Sequence, residues 1–223
     1  MVDEAMIDRQ KREALNTLHT VKDTITVYND PAFAEMYFQK WRHDLPYVQL
    51  ELFSRLTGVE GMILDAGCGP GHHTDYLYRR GHCAVGIDLA MTELQVAKAN
   101  FRGPQFVCAD MLHVPFGDAI FSGIWACASV MHLPQVLLPK QLVEFGRLLR
   151  PRGIIGLTLT VETEAHFDRF GRFFECYPSQ YLKDQIGQTG FTIEDIETRS
   201  IDKTTEEEGR RAGWITVSAR KSA

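Results

Sequence analysis

Met62-Ile63-Leu64-Asp65-Ala66-Gly67-Cys68-Gly69-Pro70-Gly71 is an apolar run, one acid, then three glycines on alternate positions. The pattern predicts a buried strand, a tight turn and a helix start. Glycine after a strand lets the backbone take positive φ and lets a ligand approach without meeting a Cβ. Such a turn suits a nucleotide-type ligand. The spacing is Gly-x-Gly-x-Gly, and the place where a dinucleotide fingerprint has its third glycine holds His72, which weakens an NAD reading. Asp65 matters more than the glycines. A carboxylate beside the loop repels a pyrophosphate on the helix N-terminus and attracts a ligand with a positive end, by roughly 4 kcal/mol for unit charges about 4 Å apart at an effective dielectric of 20. The alternative is an ordinary strand-turn-helix without a ligand, because short glycine patterns recur by chance.

Around this stretch lie 223 residues with a net charge of −5, which predicts one domain with a sizeable core. The acidic balance argues against a chain that lives on nucleic acid by bulk electrostatics. The five cysteines (Cys68, Cys83, Cys108, Cys127, Cys176) are odd in number and form no Cys-x-x-Cys pair, so neither a disulfide framework nor a thiolate zinc site is suggested. Met1 to Met6 is charged from its third residue and carries no signal-peptide core, and the most apolar window, Ala119 to Leu138, is interrupted by polar residues and Pro134. A cytoplasmic protein without membrane contact is expected.

Taken in order, Val2 to about Asp23 reads as an amphipathic surface helix, and Asn29-Asp30-Pro31 stops it and starts another. A third helix, from Pro46 to about Leu56, ends at Gly58. These helices form an arm over residues 1–58, with aromatic residues that either pack on a core over 59–223 or act as a lid. After Gly71 the chain alternates: helix to Arg80, strand Cys83 to Ile87, helix from Met91, strand Gln105 to Cys108, strand Phe121 to Cys127, helix from about Pro134 to Leu149. A turn at Arg150 to Gly153 leads to a fifth strand, Gly153 to Leu159. Strands alternating with helices predict an α/β fold with a mostly parallel sheet. A helix from Tyr177 to Thr189 precedes two strands, Phe191 to Thr198 and Trp214 to Ala219, that suggest a hairpin closed by the polar loop Asp202 to Gly213; Glu206 to Glu208 read as a solvated turn.

S-adenosylmethionine (SAM), with a nucleoside at one end and an ammonium and a sulfonium at the other, meets the requirement set by Asp65. Leu64 to Gly71 also resembles the first motif of the class I SAM-dependent methyltransferases, and the resemblance extends from about Tyr28 to the C-terminus. It implies a Rossmann-like, seven-stranded, mostly parallel sheet with the last strand inserted antiparallel beside the fifth, and helices on both faces. Asp88, about 20 residues past the turn, sits where an open sheet places an acid to grip a ribose diol; a helix cap is its structural alternative. By the resemblance Asp110 accepts from the adenine amino group with Met111 along the base, and Tyr28, Asp65, Gly67, Cys68, Gly69, Leu89 and Cys127 complete the cofactor site. Cys127 is expected to be an apolar strand end and not a nucleophile. His72-His73 point apart without a third ligand, so no metal is assigned.

The same resemblance makes His132, just past the fourth strand, the candidate for chemistry; packing against the next helix is its alternative. Related enzymes that methylate amino groups of DNA carry an Asn- or Asp-Pro-Pro-aromatic block where this chain has Cys127-Ala128-Ser129-Val130, so a small-molecule acceptor is expected. Within the family, the stretch from Phe121 through His132 to Pro134 and Arg172-Phe173-Phe174 look most like uncharacterised small-molecule enzymes and the quinone- and sterol-type methyltransferases. Tyr37, Met131, Phe173, Phe174 and Tyr177 are the expected acceptor wall. Ser122, Ala90 and Arg152 replace residues common in the family without touching the expected cradle. A SAM-binding partner subunit without transfer activity is the competing class; it predicts a degraded cradle, whereas this one is complete.

Overall fold

A computed structural model describes residues 19–43, 45–58, 61–161, 164–200 and 213–223. The predicted first helix falls partly outside them; its described part is helical over residues 19–28 (α1), running past the expected end at Asp23. Helix α2, Pro31–Trp41, begins as its sequence requires: Pro31 stands in the first turn, and the Asp30 side chain accepts the Phe33 N–H at 2.8 Å. Helix α3, Tyr47–Thr57, ends where Gly58 turns to φ 67°.

The core alternates strand β1 (Met62–Ala66), helix α4 (His72–Arg79), β2 (Cys83–Asp88), α5 (Met91–Asn100), β3 (Gln105–Cys108) and β4 (Phe121–Cys127). It continues with α6 (Leu138–Leu148), β5 (Leu149–Val161), a short antiparallel pair β6 (His166–Phe167) and β7 (Phe173–Phe174), α7 (Ser179–Gln188), β8 (Phe191–Ser200) and β9 (Gly213–Lys221). The main sheet has the order β3-β2-β1-β4-β5-β9-β8, with β9 antiparallel to both neighbours and every other pairing parallel. This is the expected seven-stranded arrangement. Strand β4 is buried along nearly its whole length because helices cover both faces. The chain leaves β1 toward β2 on one side, and β4 lies on the other, so the carboxyl ends of β1, β2 and β4 meet at a topological switch point. Ligand crevices of open α/β sheets form there.

Three local expectations are corrected. The helix expected from about Pro134 starts at Leu138, because Pro139 cannot bond back to Gln135 and is tolerated only in a first turn; Gln135–Leu137 makes a 3₁₀ turn before it, and Val130–His132 another. The turn expected at Arg150 to Gly153 lies within β5 as a bulge: Phe121 pairs with Leu149, whereas Gly123 pairs with Ile154. The β6–β7 pair was not foreseen, because two-residue strands carry no readable periodicity. The loop Asp202 to Gly213, including Glu206 to Glu208, lies outside the described residues except for Gly213.

Helix α3 belongs to the core as firmly as to an arm. Its Leu50 and Phe53 are fully buried and cluster with Ile63, Trp125 and Ile154 of the sheet. The α1–α2 junction is tied down at the start of α5, where Thr92 N–H donates to Asn29 Oδ1 at 3.1 Å and Thr92 Oγ1 donates to the Asn29 carbonyl at 2.9 Å.

Candidate functional site

At the carboxyl ends of β1, β2 and β4, roofed by α1 and α2, lies a cavity of about 420 Å³. The glycine turn forms its floor. Gly67 and Cys68 donate their N–H groups to the Ile87 carbonyl at 2.8 and 2.9 Å, which pins the turn to β2. Gly67 has φ 73°, and a Cβ there would lie 2.3 Å from Ser129 Cβ, so no other residue fits. A Cβ on Gly69 would meet no atom within 4 Å, which leaves open room above the turn where Gly69 lines the cavity.

Asp88 closes the turn from the β2 side. Its Oδ2 accepts the Gly69 N–H at 2.9 Å and its Oδ1 the Ala90 N–H at 2.8 Å, so it orders the loop while still facing the cavity. Burial raises its pKa against the pull of those N–H groups. Asp110 is partly exposed, and its Oδ1 accepts the Leu112 N–H at 2.8 Å. Leu89 and Met111 line the cavity with these acids. Cys127 also lines it, with burial pushing its thiol up to about 12, so it is no thiolate nucleophile.

Asp65 is corrected. It is 1% exposed, does not line the cavity, and its Oδ2 accepts from the Thr74 hydroxyl at 2.6 Å. Burial raises its pKa to about 7. The alternation of β1 turns this side chain toward α4, so its field reaches the cavity only through the turn. What still disfavours a pyrophosphate is the wall itself. Among the described lining residues Arg199 alone carries a permanent positive charge, against Asp88 and Asp110. His72 and His73 line the cavity as neutral imidazoles, lowered to about 4 and about 3, in both cases chiefly by burial. No group of three metal-binding side chains occurs among the described residues.

The roof carries a connected polar chain. His132 Nδ1 lies 2.5 Å from the Phe173 carbonyl, which can only accept, so Nδ1 carries a proton. In the neutral ring Nε2 is then the acceptor, and Tyr28 Oη stands 3.1 Å from it. Arg172 Nη1 donates to Tyr28 Oη at 3.0 Å, and Arg172 is held by Asp168, with Nη2 to Oδ2 at 2.6 Å. The guanidinium is nearly buried among the rings of Tyr28, Phe33, Tyr37, Phe170 and Phe174. Burial pulls its pKa down, but Tyr28, Tyr37 and Asp168 outweigh that and raise it. Burial also raises the Tyr28 pKa, against the lowering by Arg172.

Of the expected acceptor wall, Tyr37 lines the cavity and the others do not. Met131, Phe174 and Tyr177 are buried in the main core, where Tyr177 Oη donates to the Leu133 carbonyl at 2.7 Å. Phe173 is buried and contributes its backbone, accepting from His132 and donating its N–H to Thr24 Oγ1 at 2.9 Å. The cavity is further lined by Trp41 at the end of α2, Pro46 and Gln49 at the start of α3, and Thr158, Trp214 and Thr216 on β5 and β9. Nothing local in the sequence marks these residues; they converge because β9 inserts beside β5. The alternation of β5 does put Thr158 on one face with Thr160.

Residues 63–153 match the family model described as methyltransferase domain. Methyltransferase GfsG of Streptomyces halstedii is 32% identical over 115 residues, covering 48% of this chain and 41% of the relative. A malonyl-(acyl-carrier protein) O-methyltransferase of Salmonella typhimurium is 32% identical over 108 residues, covering 48% and 42%. The chain thus spans about two-fifths of the length of these curated relatives. Over 95% of this chain and 90% of the other, the fold matches the 1,6-didemethyltoxoflavin-N1-methyltransferase of Burkholderia thailandensis, solved with 1,6-didemethyltoxoflavin and S-adenosylhomocysteine, at a TM-score of 0.71 and 19% identity.

Proposed function

We propose that this chain, which carries a methyltransferase domain on the seven-stranded methyltransferase fold, transfers a methyl group from SAM to a small-molecule acceptor. The observation that carries the reading is the pinned glycine turn with Asp88 and Asp110 beside it, opening into a cavity whose far side holds Tyr28 and His132. Asp88 would take the sugar hydroxyls, Asp110 the base amino group, and the turn from Gly67 to Gly69 the amino-acid end, with Leu89 and Met111 against the nucleoside. When bound, SAM supplies a methyl group already activated on a sulfonium.

The residues then have little covalent work to do. Alignment of acceptor and donor can contribute roughly 7–11 kcal/mol to lowering the barrier. Where the acceptor is a hydroxyl, its proton passes to Tyr28 Oη as the Tyr28 proton passes to His132 Nε2, and the resulting imidazolium keeps its Nδ1–H on the Phe173 carbonyl. Arg172 holds Tyr28 in line throughout.

The five cysteines are free, and among the described residues no helix is long and apolar enough to cross a membrane. The free thiols fit a reducing cytoplasm, and the net charge of −5 fits a small-molecule acceptor and not nucleic acid. Calorimetric titration should give one site for SAM and for S-adenosylhomocysteine; micromolar affinity for NAD contradicts the reading. Turnover with a metabolite panel, read as S-adenosylhomocysteine release, separates an enzyme from a SAM-binding partner subunit, which would bind and release nothing.

A further inference from the structure

Gln49 lines the cavity from α3 and is 6% exposed. Its Nε2 donates to Glu197 Oε2 at 2.7 Å. A carboxylate can only accept, so this bond fixes which way the amide faces and leaves Oε1 as the free end. Gln49 Oε1 is buried and has no hydrogen-bond partner. Glu197 is in turn held by Arg199, whose Nε donates to Oε1 at 2.7 Å, and Arg199 chiefly, then Gln49, lowers its pKa. The ion pair thus anchors the amide from behind, on the β8 side.

On the same cavity lie the Trp41 indole, whose Nε1 is likewise buried and unpartnered, and the hydroxyls of Thr158 and Thr216, 3.2 Å apart. A buried carbonyl without a donor is costly to keep. It persists most economically where a ligand supplies the donor.

We propose that Gln49 Oε1 is the specificity-determining contact of the acceptor subsite and reads an O–H or N–H, other than the one that is methylated, on a neutral, flat acceptor such as a polyphenol, an enol or a lactam. The inference rests on the methyl-transfer reading above. Trp41 and Trp214 provide flat apolar faces for such a ring, and the Trp41 N–H meets an oxygen on it. A carboxylate acceptor finds an acceptor facing an acceptor at Gln49, with the Glu197 charge directly behind. Arg199 lines the cavity too, but its Nε is committed to Glu197, so malonyl-like acids are disfavoured at Gln49 itself.

The test uses the full chain saturated with S-adenosylhomocysteine at pH 7 and three probes of one shape: 1-naphthol, 1-methoxynaphthalene and 1-naphthoate. Ligand-observed NMR should give 1-naphthol about fivefold or more tighter binding than either other probe. Gln49→Met should collapse that preference, and Glu197→Gln, which frees the amide to rotate, should weaken it. S-adenosylhomocysteine affinity, read in the same samples, reports an intact core; if Gln49→Met loses it, Glu197→Gln carries the comparison. Equal binding of the three probes, tighter binding of 1-naphthoate, binding of none, or a preference that survives both variants overturns the inference while leaving the cofactor site standing. Failure of S-adenosylhomocysteine to bind the unaltered chain overturns the underlying reading and the inference with it.

Discussion

Tyr28 stands between a cation and a base: Arg172 donates to its oxygen, and its own proton points to His132 Nε2. Burial keeps the phenol protonated, so Tyr28 donates to Nε2 while the imidazole is neutral; once Nε2 takes a proton at lower pH it donates to the Tyr28 oxygen instead and the relay is blocked. With a hydroxyl acceptor, Tyr28→Phe and His132→Gln should each lower kcat by about 100- to 10,000-fold with little change in SAM Kd. The kcat of the unaltered chain should rise with pH to a plateau, and His132→Gln should flatten the profile. Normal kcat in both variants would leave alignment as the whole mechanism. Asp88→Ala removes charge-assisted bonds worth roughly 1.5–3 kcal/mol each and should weaken S-adenosylhomocysteine binding tenfold or more in a titration. Unchanged affinity would take Asp88 out of the cradle. The acids at strand ends were legible in the sequence because an open sheet puts its ligands there. Asp65 was misread because the strand alternation that buries Ile63 and Leu64 also decides where its carboxyl goes, and the motif alone does not show α4 receiving it through Thr74.

Among the elements, α5 carries an unusual load at its first turn. Glu93 is fully buried, neither carboxyl oxygen has a hydrogen-bond partner, and burial first, then Asp88, pushes its pKa up from 4.5 to about 9. Between those values the unfolded chain releases a proton that the folded chain keeps. Stability from this group is therefore full below about pH 4.5 and is lost as pH rises toward 9. Chemical denaturation should show Glu93→Gln gaining on the order of 4–5 kcal/mol relative to the unaltered chain at pH 8 compared with pH 4. An equal difference at both pH values would contradict a protonated Glu93. Helix α3 makes a second case. A chain lacking residues 1–58 should fail to fold, because it strips Leu50 and Phe53 from the sheet. Phe53→Ala alone should cost about 3–5 kcal/mol, read from the denaturation midpoint. A stable 59–223 fragment would restore the division into arm and independent core. The start of α2 was readable from Asp30 and Pro31, whereas the burial of α3 was not, since its amphipathic pattern fits a lid as well as a core helix.

For the whole molecule, a mostly parallel sheet and a terminal hairpin were readable from the alternating elements, the insertion of the last strand beside the fifth came with the family resemblance, and the sheet follows both. The acceptor wall was not readable, because β9 reaches it only by crossing from the far end of the chain to lie beside β5. The cavity of about 420 Å³ has the glycine turn with Asp88 and Asp110 in its lining together with residues of β5 and β9. Methyl transfer within it is the central claim. Incubating the chain with SAM labelled with ¹³C at the methyl group and a protein-free small-molecule extract, then reading ¹³C by NMR and mass spectrometry, tests it most directly. The account predicts label in a low-molecular-weight product together with an equal amount of S-adenosylhomocysteine, both reduced in Asp88→Ala when SAM is held below the variant's Kd. Tight SAM binding with no labelled product and no S-adenosylhomocysteine would contradict it.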